Sequence, residues 1–80
     1  MDCVTDDELV HRARDGDPTA FDEIVERHKG AVFRAAMAAL RNREDAEDVT
    51  QETFITAFRK LDTFRGESQL RTWLSRIAWN

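Results

Sequence analysis

Apolar residues recur at helical spacing through most of this chain, and the stretch from Asp45 to Leu61, DAEDVTQETFITAFRKL, limits the possible folds most tightly. At 100° per residue, Ala46, Thr50, Thr53, Ala57 and Leu61 gather within about 40° of one direction, with Val49 and Phe54 at the flanks. That side reads as core. On the opposite side Glu44, Asp45, Asp48, Gln51 and Glu52 fall within about 60° of Asp48, and Ile55 sits among them. A solvated helix face is often acidic without further purpose. An exposed isoleucine inside a cluster of acids and amides has the character of a docking patch.

A chain of 80 residues, 41% hydrophobic and 35% charged, suits one small domain with a thin core. No run approaches the roughly 18 apolar residues of a membrane span, and no charged start followed by an apolar block suggests a signal peptide. The single cysteine, Cys3, cannot close an internal disulfide and fits a cytoplasmic setting. The net charge of -4 conceals a division: residues 1–52 hold 14 acids and 7 bases, whereas residues 53–80 hold 2 acids and 5 bases. Opposite signs in the two parts suit either uneven surface decoration or two surfaces, a basic one for phosphates and an acidic one for protein.

Thr5-Asp6-Asp7-Glu8 opens a short first helix as a capping box, with Leu9, Val10 and Ala13 on its apolar side and Gly16 able to end it. Asp17 before Pro18 opens a second. Phe21, Ile24, Val25, His28, Val32, Ala36 and Leu40 keep helical spacing for about five turns, making this the long central helix, which ends near Arg41 and Asn42. His28 lies on its apolar stripe and reads as structural, with no chemistry assigned. A short connection at Asn42 implies that the second and third helices are antiparallel. After the third helix, DTFRGES interrupts the pattern, and Ser68 is the expected cap of a fourth helix beginning near Gln69. The expected fold is all-α, a compact bundle of four helices: short N-terminal, long central, acidic-faced third, and a C-terminal helix after a loop. The apolar pattern runs uninterrupted to Asn80, as expected of a helix cut short, so residues 1–80 are expected to be one domain of a longer protein.

In the fourth helix Leu70, Trp73, Leu74 and Ile77 form the inner side, while Gln69, Thr72, Arg76, Trp79 and Asn80 lie opposite. Arginines, amides and aromatics beside a loop carrying Phe64 and Arg65 suit single-stranded DNA, because aromatics stack on bases and arginines meet phosphates. Phe64 and Trp73 are equally able to join the core, and Trp73 is read preferentially there. An enzyme would need clustered nucleophiles, a metal set or a phosphate loop; there is no HExxH, no cysteine pair and no GxxxxGK, and no cofactor is expected. A helical protein-binding module without DNA contact explains the acidic face equally well but leaves the basic loop unexplained.

The Asp7-Glu8-Leu9-Val10 start, the Gly16-Asp17 turn, Ala20-Phe21, the run DAEDVTQETFITAFRKLDTFRGES and the closing RTWLSRIAWN together resemble conserved region two of bacterial sigma factors of the extracytoplasmic-function (ECF, group IV) type. The resemblance covers nearly the whole chain, and its specificity lies in the order and spacing of strings that are individually loose.

The resemblance implies that the third helix docks on a coiled coil of the beta-prime subunit of RNA polymerase. Asp48, Gln51 and Glu52 match the family's contact pattern, and Asp45 and Ile55 join them on the helical face. Carboxylates and an amide would meet arginines of the partner. It implies further that the Phe64, Arg65, Gly66, Glu67, Ser68 loop and the fourth helix from Gln69 recognise the promoter minus-ten element on the non-template strand, with a base drawn out of the stack into a pocket of that loop. Arg59, Lys60, Arg65, Arg71 and Arg76 are candidate phosphate contacts, and Asn80 a DNA contact, whereas Trp79 stands where the family often has a basic residue. A second helix-turn-helix domain for the minus-35 element, normal in the family, is absent from these residues. An anti-sigma protein covering polymerase-binding surface belongs to the same expectation as a partner, as does a cytoplasmic location.

Overall fold

The computed structural model describes residues 4–79. Four helices follow one another: α1 over Asp6–Arg14, α2 over Pro18–Leu40, α3 over Arg43–Arg59 and α4 over Leu70–Ala78, with a 3-10 turn, Leu61–Thr63, after α3. The expected all-α bundle of four helices is the observed one.

Each boundary has a local cause. The Thr5 hydroxyl accepts from the Glu8 N–H at 3.2 Å and opens α1. Glu8 does not complete the reciprocal half of the capping box: its carboxylate accepts instead from Arg12 Nη2 at 3.0 Å, a cation one turn along that competes better than a backbone amide. Gly16, at φ +98°, ends the helix in the left-handed conformation, with the Asp17 N–H reaching back to the Arg12 carbonyl. Asp17 then caps α2 by accepting from the Thr19 N–H at 3.0 Å, and Pro18 occupies the first turn. The 23 residues of α2 extend for about 34 Å and make it the spine of the bundle.

The α2–α3 connection needs two residues. Arg41, rather than Asn42, closes α2 in the left-handed region at φ +54°, and Asn42 opens α3 by accepting from the Asp45 N–H at 3.0 Å. Asparagine outcompetes arginine as an N-cap because its short amide oxygen reaches the free N–H groups. Two residues allow only a reversal, so α3 packs back along α2.

Small residues bring α3 close to its neighbours. Ala46 and Ala57 are fully buried and Thr53 nearly so, with the Thr53 hydroxyl donating to the Val49 carbonyl at 2.6 Å, and no buried side-chain polar atom among the described residues lacks a partner. Ile24, Phe54, Leu61, Phe64, Leu70 and Leu74 fill the space around them, and burial of each aliphatic side chain contributes about 1.5–3 kcal/mol. Leu61 reaches this core from the 3-10 turn, not from α3, which stops at Arg59. α1 is held by its buried Leu9 and Val10 and by Asp6, whose carboxylate accepts from His28 Nε2 at 3.0 Å and from Arg27 Nη1 at 3.3 Å. The structural role expected of His28 is this contact.

Burial of Leu70 fixes the start of α4 one residue later than expected. Gln69 therefore takes the N-cap position without a side-chain hydrogen bond, and Ser68, expected there, lies one residue too early to cap.

Candidate functional site

The outer face of α3 is laid out as its periodicity requires. Glu44, Asp45, Asp48, Gln51, Glu52 and Ile55 are all exposed, Ile55 to 40%. Among the described residues, Glu44, Asp45, Asp48 and Glu52 take part in no ion pair; the intrahelical pair on this element is Arg43 with Glu47. Four carboxylates without internal partners leave their charge available to an external cation.

Ile55 is not isolated. It borders an open, largely apolar groove of about 1050 Å³ between α2 and α3, walled by Phe21, Val25, Phe33, Phe54 and Phe58, with Gln51, Arg43 and Arg59 among its polar lining. Phe58, which the sequence reading passed over, is the most exposed large hydrophobic side chain among the described residues, at 61%. A signal for it was present: Phe58 lies about 80° from Asp48, just beyond Gln51 on the acidic side. Arg59 lies about 20° from Asp48 and borders the same groove. The structure thus places Arg59, expected to contact DNA, on the acidic side of α3 beside the groove.

Beyond the C-terminal cap Lys60, the chain enters the 3-10 turn, where the Thr63 hydroxyl donates to the Lys60 carbonyl at 2.7 Å. Phe64 is only 4% exposed and packs on Trp73, ring centroids 5.2 Å apart. The ring placed among the DNA contacts by sequence is therefore inside the core, because the turn carries the Leu61 and Phe64 side chains inward. It anchors the loop and offers no free face to a base. Arg65, Gly66, Glu67 and Gln69 are exposed and Ser68 is half-buried. Gly66, at φ +75°, gives the loop its bend.

Gly66, Glu67, Ser68, Gln69 and Arg71 form one wall of a polar cleft of about 950 Å³, faced by Asp6 and Asp7 of α1 and by Arg27, His28 and Arg34 of α2. On α4, Thr72 and Arg76 are exposed and Trp79 is 51% exposed, while Trp73 and Ile77 pack partly against the core. Among the described residues, Arg59, Lys60, Arg65, Arg71 and Arg76 take part in no ion pair. Asn80, also expected to contact DNA, lies outside the described residues. The fold thus carries an acidic, partly apolar helix face and, following it in the chain, a loop and helix with free cations and amides. None of this calls for covalent chemistry. No helix among the described residues is long and apolar enough to cross a membrane.

Residues 24–80 match the family described as Sigma-70 region 2. The chain is 44% identical over 77 residues to the ECF RNA polymerase sigma-E factor of Haemophilus influenzae, an alignment covering 96% of this chain and 40% of that protein. It is 46% identical over 77 residues to the protein of the same name from Escherichia coli strain K12, with the same coverage. To RNA polymerase sigma-H factor of Pseudomonas aeruginosa it is 41% identical over 75 residues, covering 94% of this chain and 39% of the relative. The chain therefore spans about 40% of the length of these curated relatives. The matched span takes in most of α2 and all of the acidic helix, the loop and α4, and on that ground the chain belongs to the sigma-70 region 2 family, of the extracytoplasmic-function type.

Proposed function

We propose that this domain acts in transcription initiation, joining RNA polymerase to promoter DNA through two surfaces of one bundle. The outer face of α3 docks on the coiled coil of the beta-prime subunit, with Asp45, Asp48, Gln51 and Glu52 meeting cations and Ile55 excluding water between them. Phe58 and Arg59 extend this face into the α2–α3 groove. The loop Arg65–Gln69 and the outer side of α4, with Lys60 and Arg76 beside them, capture the non-template strand of the minus-ten element.

The observation that carries the reading is the order of the two surfaces along one continuous segment. The acids without internal partners lie on α3, and the free cations and amides follow its C-terminus directly. Melting needs no bond-making residue. A surface that binds separated bases more tightly than the duplex shifts the opening equilibrium by that difference alone. The cleft of about 950 Å³ beside the loop supplies room for a base drawn out of the stack. An anti-sigma protein would inhibit most simply by covering the α3 face.

Binding of a labelled single-stranded non-template minus-ten oligonucleotide, measured against the duplex and a scrambled strand at fixed moderate salt, tests the reading. Preference for the minus-ten strand, in the free protein or with core polymerase, is the expected result. Absence of any preference would leave a protein-binding bundle without DNA contact.

A further inference from the structure

The carbonyl of Leu61 receives three donors. The Phe64 N–H reaches it at 3.1 Å and closes the 3-10 turn, while Nε and Nη2 of Arg14, the last residue of α1, reach it at 3.1 and 3.0 Å. Arg14 and Leu61 are 47 positions apart in the chain, and the contact is partly shielded from water. Among the described residues, the two bonds from Arg14 are the only hydrogen bonds that reach residues 61–69 from α1 or α2.

A guanidinium suits this position. Its planar fork presents two N–H groups to one oxygen, and its charge is favourable just past the C-terminus of α3, where carbonyls without intrahelical donors collect negative potential. Arg14 makes no ion pair among the described residues, so this carbonyl is the group it serves. Nor is the contact needed to hold α1 on the bundle, since Leu9, Val10 and the Asp6 contacts with α2 already do that.

The turn that Arg14 holds is where the recognition loop begins. Phe64 and Leu70 are buried anchors at its two ends, and Arg65–Gln69 span the gap between them. We infer that Arg14 is a positioning residue for strand capture: its fork fixes the turn at Leu61 and thereby orders the Arg65–Gln69 loop before DNA arrives. The inference rests on the reading of that loop as the strand-binding surface. Ordering the loop in advance removes an entropy loss that binding would otherwise bear. Arg14 itself touches no base or phosphate.

The test compares wild-type protein with Arg14→Gln and Arg14→Lys by amide hydrogen exchange, by affinity for the labelled non-template minus-ten strand, and by affinity for core polymerase. In Arg14→Gln, the amides of Thr63 and Phe64, which donate to the Lys60 and Leu61 carbonyls and close the turn, should exchange roughly tenfold faster, with protection in α2 and α3 retained. The same variant should bind the oligonucleotide about fivefold more weakly and core polymerase as wild type does. Arg14→Lys, which keeps the charge and one donor, should recover part of both losses. Unchanged exchange at Thr63 and Phe64 in Arg14→Gln would overturn the inference. So would acceleration spread evenly over α2 and α3 with a parallel loss of polymerase affinity, which would make Arg14 merely structural. If wild-type protein shows no preference for the minus-ten strand, the functional reading fails by itself, and the exchange rates of Thr63 and Phe64 still decide whether Arg14 holds the turn.

Discussion

Phe58 of α3 meets Phe21 of α2 edge to face, ring centroids 5.1 Å apart at 72°, although 61% of Phe58 is exposed. The α2 ring braces the α3 ring at the lip of the apolar groove, so the side chain pays little rotamer entropy when a partner covers it. Preordered aromatics that a partner can cover are where binding energy concentrates. Phe58→Ala should therefore weaken association with core polymerase about tenfold, while lowering unfolding free energy by about 1 kcal/mol or less. Competition binding and thermal unfolding measure the two separately. A stability loss as large as a core truncation, with polymerase affinity intact in the folded protein, would return Phe58 to the core.

Arg59 and Asp48 project from nearly the same side of α3, and the position of Arg59 beside the groove makes a division testable. Asp48→Ala and Arg59→Ala should both reduce polymerase affinity without changing helicity, since neither side chain is buried or paired internally. Affinity for the single-stranded minus-ten oligonucleotide should stay unchanged in both. If Arg59→Ala instead weakens oligonucleotide binding and lowers its dependence on salt, Arg59 contacts phosphate and belongs with the loop.

The number and order of helices were legible because apolar spacing and capping residues agree along the whole chain, as at Asp17-Pro18 and Asn42. The outer face of α3 was equally legible, since one helix fixes its own angular order. What sequence did not settle lies where tertiary burial overrides local signals. Ser68 is a better N-cap residue than Gln69, yet burial of Leu70 sets the start of α4. Phe64 sits in a polar loop, and only the turn at Leu61 directs it inward. The groove beside Phe58 needed two helices to be placed before it existed. Arg14 gave no sequence signal at all, because its partner is a backbone carbonyl 47 positions away.

Burial of Phe64 against Trp73 yields a prediction that separates an anchor from a stacking platform. Phe64→Ala removes a ring from a thin core and should lower unfolding free energy by about 3–5 kcal/mol, enough to leave so small a domain largely unfolded. Phe64→Leu keeps an apolar anchor and should fold with a smaller loss. Once folded, the leucine variant should bind the minus-ten oligonucleotide nearly as wild type does. Wild-type stability combined with lost oligonucleotide binding would mean that the ring leaves the core to meet a base.

The acid limb of stability should carry a contribution from Asp17. Its Oδ1 accepts from the Thr19 hydroxyl at 2.6 Å and from the Thr19 N–H at 3.0 Å. These bonds, the hydroxyl first, hold the carboxyl below its ordinary value of 3.8 against a smaller opposing effect of desolvation. A group whose value is depressed by folding stabilises in its ionised form. Its contribution is complete above the unfolded value and is lost as pH falls through 3.8 toward the folded value. Asp17→Asn retains a capping oxygen that does not titrate, so melting temperature should fall less steeply below about pH 5 than in wild type. Asp17→Ala should melt a few degrees lower at pH 7 and share the flattened acid limb. Parallel curves for wild type and Asp17→Asn would place the acid sensitivity elsewhere than at this cap.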